Sequence, residues 1–226
     1  MITPLLRSTR DNIMLKIYGF DVSPRALKVK MCANVLGIDY DDFPVNLPAG
    51  EQKTEEYLAI HPAGKIPAIE DDGFILFESN AICKYLCRKS RSELYPEDLF
   101  RQALVDQWCD FVAIHIDVHY VSLLVNKVFA EQLGVEVDQR ALMERPLFID
   151  QYLTVIEGQF DDNRYLAGNE MSVADISLLA TIDPSELLEI DIASYPKLNA
   201  WRDDLRSRDF YRKVHNFYGE SMMAGD

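Results

Sequence analysis

The period of the hydrophobic pattern changes near residue 90, and that change constrains the fold of this 226-residue chain more than any other feature. Before it, short alternating runs and helical runs take turns. Leu15-Lys16-Ile17-Tyr18 alternates apolar and polar, the mark of a strand with one buried face. Ser23-Pro24 follows, and proline suits the first turn of a helix because its missing N–H would have no partner there anyway. Leu27, Met31 and Val35 then recur at helical spacing, with Cys32 and Leu36 beside them, until Gly37 stops the run. Tyr40 to Leu47 predicts a second strand, with Phe43, Val45 and Leu47 on one face. A short helix is expected around 51–60. Ile66-Pro67-Ala68-Ile69 and Phe74-Ile75-Leu76-Phe77 flank Asp71-Asp72-Gly73, a hairpin signal. Glu78-Ser79 then opens a helix carrying Ile82, Tyr85 and Leu86.

The resulting order is βαβαββα. A β-α-β unit implies neighbouring parallel strands joined by a right-handed crossover, and the hairpin adds an antiparallel pair, a thioredoxin-like layout. After the polar stretch 91–98 the signals are helical only, through 102–130, 142–160, 173–190 and 197–213. Ser172-Val173-Ala174-Asp175 has the form of a capping box with Asp for Glu, which makes Ser172 and Asp175 structural candidates. The fold class read from this pattern is α/β plus all-α. Residues 1–13 read as a disordered leader ahead of Met14, 14–90 as the thioredoxin-like domain, 91–98 as a linker, and 99–220 as an all-helical domain.

Charge divides at the same place: residues 1–90 sum to −1 and residues 91–226 to −13, giving the total of −14. Such an excess repels phosphate backbones and anionic headgroups, so neither nucleic acid nor a membrane surface is expected as a partner. No apolar run approaches the ~18 residues of a bilayer span. The four cysteines form no C-x-x-C pair and no zinc-finger spacing, which predicts reduced thiols, a reducing compartment and no metal.

Three junctions carry candidate chemistry, each with a plain structural reading beside it. Ser23 is an ordinary helix cap by local pattern. The same position could donate a hydrogen bond to an external thiolate, aided by the positive end of the helix. Ile66-Pro67 is an unremarkable strand entry or a cis turn that frees the backbone of Ile66 for a ligand. Glu78-Ser79 is a capped helix start or a clamp for a zwitterion, with helix amides and hydroxyl on the carboxylate and Glu on the ammonium. His115 and His119, at i and i+4, have metal-ligand spacing but no third ligand and no following Glu. Cys83 and Cys87 share that spacing and read as buried thiols.

Over about residues 14–215 the chain resembles the cytosolic glutathione transferases. The resemblance rests on His61-Pro62-Ala63-Gly64-Lys65-Ile66-Pro67-Ala68-Ile69, on Leu76-Phe77-Glu78-Ser79-Asn80-Ala81-Ile82 after the hairpin, and on Arg164-Tyr165-Leu166-Ala167-Gly168 followed by Ser172–Asp175. Tyr18-Gly19-Phe20-Asp21-Val22-Ser23 is most similar to the serine classes, phi and theta above all. The resemblance implies a catalytic Ser23 with Tyr18 in reserve, and no Cys-dependent thiol exchange. It implies a glutathione site of Lys53, Lys65, Ile66, a cis Pro67, Glu78 and Ser79. Gln52, Lys65 and Asn80 depart from the family pattern, Asn80 standing where an Arg is frequent. It further implies glutathione as co-substrate with no bound cofactor, and attack of the glutathione thiolate on small hydrophobic electrophiles held near 111–120. A cytoplasmic homodimer acting in detoxification is the corresponding expectation. A glutathione-dependent peroxidase, dehalogenase or isomerase, or a non-catalytic binding protein, are the alternatives.

Overall fold

The computed structural model describes residues 14–214; the expected leader at 1–13, and the positions past 214 of the expected helical domain, lie outside the described residues. Strand β1 (Leu15–Gly19) buries Leu15, Ile17 and Gly19 and turns Lys16 and Tyr18 to the other face. Helix α1 (Pro24–Leu36) is capped by Ser23, whose Oγ accepts from Ala26 N at 3.4 Å. Gly37 closes it at φ 65°, a left-handed conformation that a side chain disfavours, with its N–H turned to the Ala33 and Asn34 carbonyls.

Strand β2 spans Tyr40–Pro44, shorter than the alternation through Leu47 predicts. It is an edge strand with Asp41 to Pro44 exposed, and Pro44 removes the donor needed to continue the ladder. Val45 is nevertheless buried, donating its N–H to Gly19 O at 2.7 Å. The segment expected to be one short helix is a 3₁₀ turn, Glu51–Lys53, followed by α2 (Glu55–Leu58). Strands β3 (Ala68–Asp71) and β4 (Phe74–Phe77) form the hairpin, and β3 begins only after Ile66-Pro67. The sheet order is β2-β1-β3-β4, with β1 parallel to β2 and antiparallel to β3. Helix α3 (Ser79–Lys89) packs with α1 on the sheet face marked by Ile17 and Ile69.

The rest is helical. Helix α4 runs Leu99–Phe129 as one 31-residue element containing two π-helical stretches, Val112–Asp117 and Val125–Phe129. By length and composition α4 could cross a bilayer, although no such segment is expected from the sequence. It instead sends Val105, Cys109, Val112, Ile116, Tyr120 and Leu123 into the protein core. Helix α5 (Gln139–Gln159) returns against it, and α6 (Val173–Ile182) is buried along its whole length beside α1. The helical run expected over 173–190 breaks at Asp183-Pro184 into α6 and α7 (Ser185–Leu188), since proline cannot donate within a helix interior. The run expected over 197–213 likewise divides into α8 (Pro196–Arg206) and α9 (Asp209–Arg212).

Asp175 ties this half together. Ser172 donates from both its N–H (2.8 Å) and its hydroxyl (2.9 Å) to Oδ2, while Leu166 N–H (2.8 Å) and Trp201 Nε1 (3.2 Å) donate to Oδ1. Burial pushes the Asp175 pKa up, and those four donors act against the shift.

Candidate active site

The sequence motifs converge at the end of the sheet where β1 and β4 finish and β3 begins. Gly64 turns the chain at φ 58°, and a Cβ there would lie 2.6 Å from the carbonyl oxygen of Gln52, so only glycine fits this close approach. Tyr57 anchors the next residue, donating its hydroxyl to Lys65 O at 2.7 Å. The Ile66–Pro67 bond that follows is cis. Glu78 precedes α3 at φ 71° and ψ 108°, a conformation costly for any residue with a side chain and typical of ligand-binding sites. Ser79 at the start of α3 is buried.

Lys65, Ile66, Pro67, Glu78 and Ser79 line one cavity of about 270 Å³. Its opposite wall comes from α1 and α4: Arg25, Lys28, Ala113 and Asp117, with His61 and Asn80 completing the lining. Asp117 is brought round by the first π-helical stretch of α4. Its Oδ2 accepts from Arg25 Nε at 2.8 Å and Nη2 at 2.6 Å, and its Oδ1 from Thr181 Oγ1 at 3.5 Å, so the ion pair bridges the two halves of the chain. His61 is buried, stacks on Phe77 with ring centres 4.5 Å apart, and accepts at Nδ1 from Ala63 N. Burial pushes its pKa down.

Ser23, Tyr18 and Lys53 are not among the residues lining that cavity. Ser23 is half-buried at the N-terminus of α1, two residues before Arg25, and its hydroxyl proton has no acceptor among the described residues. Tyr18 is differently placed. Its hydroxyl donates to Glu70 Oε2 at 3.1 Å and its ring contacts Phe43 and Tyr57. Burial and then Glu70 raise its pKa. Lys53 ends the exposed 3₁₀ turn.

His115 and His119 face α5, away from the cavity. His119 stacks on Phe148 at 4.9 Å and His115 packs on Tyr152 at 5.0 Å. Among the described residues no group of three or more His, Cys, Asp and Glu side chains is placed to hold a metal ion. All four cysteines are free and buried.

Arg25 and Lys28 are site residues that motif reading passes over. Both break a local rule. Arg25 places a cation at the positive end of α1, and Lys28 sits among Leu27, Val29 and Met31 with only 2% exposed. Such violations are signals of function.

A thioredoxin-like sheet joined to a helical domain, with a cis-proline loop and a Glu-Ser helix start facing one cavity, defines a glutathione-binding enzyme class. The "Glutathione S-transferase, N-terminal domain" family profile matches residues 14–88 and the "Glutathione S-transferase, C-terminal domain" profile matches 118–209. Glutathione S-transferase 1 of Zea mays is 32% identical, with 88% of this chain and 95% of the relative covered. Glutathione S-transferase 4 of the same plant is 31% identical over 90% of this chain and 92% of its own. Among solved structures, maize glutathione S-transferase I in complex with an atrazine–glutathione conjugate superposes with a TM-score of 0.83 at 30% identity, covering 92% of this chain and 99% of that one. Poplar glutathione transferase F1 gives 0.81 at 29%, covering 91% and 98%. The chain belongs to the glutathione S-transferase family. Its activity is glutathione transfer, with glutathione as co-substrate.

Proposed function

We propose that the protein activates the thiol of reduced glutathione with Ser23 and directs it at small hydrophobic electrophiles, in the manner of serine-type phi-class transferases. The observation that carries this reading is the shared cavity of cis Ile66-Pro67 and Glu78-Ser79, with a free hydroxyl proton on Ser23 beside it at the head of α1. In this reading the backbone of Ile66 pairs with the cysteinyl unit. Ser79 and the α3 amides take the γ-glutamyl carboxylate, and Glu78 takes its ammonium. Lys65 lies alongside, and Lys53 attracts the glycyl carboxylate.

A free thiol with a pKa of ~8.5 is about 3% thiolate at pH 7. Lowering that pKa by ~2 units requires ~2.7 kcal/mol of differential stabilisation and raises the thiolate fraction ~25-fold. One hydroxyl donor and the helix N-terminus are of that size together. The thiolate then displaces a leaving group, or adds to an unsaturated carbon, on an electrophile resting against Ala113 and Asp117. Ser23 stays a donor throughout and forms no covalent bond.

The test is calorimetry with reduced glutathione, with and without chelator, followed by conjugation assays on a panel of electrophiles that includes a chlorotriazine. Binding at millimolar glutathione that survives the chelator is expected. Absence of binding heat, or its loss with chelator, refutes the reading.

The division of labour between residues 14–90 and the helices from 99 onward belongs to the same proposal. So does a cytoplasmic setting, where four free buried thiols and reduced glutathione coexist. So does a homodimer, supported by Phe74, Phe77, Leu99, Phe100 and Leu104, which a lone subunit leaves to water. Phe100 is 85% exposed, so Phe100→Asp is expected to leave the subunit folded and shift light-scattering mass from about twice 25.9 kDa toward the single-chain value. A wild-type mass of one chain overturns the dimer.

A further inference from the structure

We infer that Lys28 is a glutathione-binding residue, the counter-charge for the α-carboxylate of the γ-glutamyl unit, and that Asn80 holds it in place; the inference rests on the glutathione reading above. Lys28 projects from α1 into the cavity lining and is 2% exposed. Among the described residues its side chain makes one hydrogen bond, from Nζ to Asn80 Oδ1 at 2.9 Å, and no ion pair. An ammonium has three donors, and burying one against a neutral amide alone is costly. An anion in the cavity removes that cost.

The neighbouring charges narrow which anion. Arg25 is matched by Asp117. The lining then retains Lys28 and Lys65 as cations and Glu78 as the anion. Glutathione carries two carboxylates and one ammonium, the complementary set. Lys28 is tied to Asn80, the residue directly after Glu78-Ser79, which places its charge at the γ-glutamyl end.

Asn80 is itself fixed from three sides. It donates from Nδ2 to Cys109 O at 3.2 Å, and its Oδ1 also accepts from Ser177 Oγ at 3.3 Å. Contacts from α4 and α6 therefore aim the Lys28 ammonium. Where Asn80 supplies no charge of its own, α1 supplies one from across the cavity.

The experiment compares two ligands on three proteins by calorimetry. The ligands are glutathione and its analogue with 4-aminobutyrate in place of the γ-glutamyl unit, which keeps the amine and lacks the carboxylate. The proteins are wild type, Lys28→Gln and Lys28→Arg, each first checked by thermal melt. Wild type is expected to prefer glutathione over the analogue by about 10–100-fold, the range for a hydrogen bond between charged groups. Lys28→Gln is expected to lose most of that preference, keeping only the part that Ser79 and the α3 amides supply, and to bind glutathione more weakly, while Lys28→Arg retains most of it.

A merely structural lysine would weaken both ligands alike and keep the preference, which overturns the inference. Equal binding of the two ligands by wild type overturns it as well, even if the Gln variant fails to fold. Wild type that binds neither ligand refutes the glutathione reading itself. Wild type and Lys28→Gln binding glutathione equally well refutes the role of Lys28 alone.

Discussion

Replacing Ser23 with Ala is expected to lower turnover near pH 7 by about 10–100-fold, because one hydrogen bond to a charged sulfur contributes about 1.5–3 kcal/mol. The pKa of bound glutathione should rise together with that loss. Affinity for glutathione should change little, since binding is assigned to Ile66, Glu78, Ser79 and Lys28. The Ser23 Oγ also accepts from Ala26 N at 3.4 Å, a long cap contact, so the fold should lose no more than about 1 kcal/mol. Ultraviolet titration of the bound thiolate, with melts alongside, separates the two roles. A mutant with unchanged thiolate pKa and unchanged turnover per folded molecule refutes the catalytic role. Tyr18 would then be the remaining hydroxyl, and it would first have to release Glu70.

The second large effect is on stability. Asp175→Ala removes the acceptor shared by Leu166, Ser172 and Trp201 and leaves their donors buried without a partner. Leaving several buried donors unsatisfied, at roughly 1–3 kcal/mol each, is expected to destabilise by about 3–5 kcal/mol in all. For a chain of this length that is a fall in Tm of roughly 6–20 °C. Asp175→Asn should also destabilise, because an amide offers one acceptor oxygen where the carboxylate offers two and turns an N–H₂ toward existing donors. If Asp175 were only a helix cap, Ala would cost ~1 kcal/mol and the melt would scarcely move. A differential melt of the two variants decides between these.

Features with a local cause were legible in the sequence. The Ser23-Pro24 start, the Gly37 stop, the hairpin about Asp72-Gly73 and the Ser172–Asp175 box each depend on a few adjacent residues, and each stands where the pattern puts it. The cis bond at Ile66-Pro67 was readable only through the family resemblance, because local pattern leaves both isomers open. That Lys65, Ile66, Pro67, Glu78 and Ser79 share one cavity wall was readable for the same reason. Arg25, Lys28 and Asp117 were not, since their meaning depends on α1 and α4 meeting across a cavity. Sequence distance hides this: Arg25 and Asp117 stand 92 positions apart. The breaks at Asp183-Pro184 and Ser207-Arg208 were lost under apolar spacing that continued through them. Pro184 was the one available warning.

The π-helical stretches give α4 an angular degree of freedom that a plain α-helix lacks. A π turn closes i to i+5 instead of i to i+4, so it accommodates one additional residue without lengthening the path between its ends. Each α-helical residue advances the face of the helix by about 100°. An extra residue in Val112–Asp117 therefore resets the phase of everything downstream while the flanking turns stay docked. Asp117, which meets Arg25, is the last residue of that stretch. The α4 wall of the cavity, Ala113 and Asp117, can thus be re-aimed by gaining or losing a single residue in one turn, leaving the sheet, the cis-proline loop and the seam between α1 and α6 where they are.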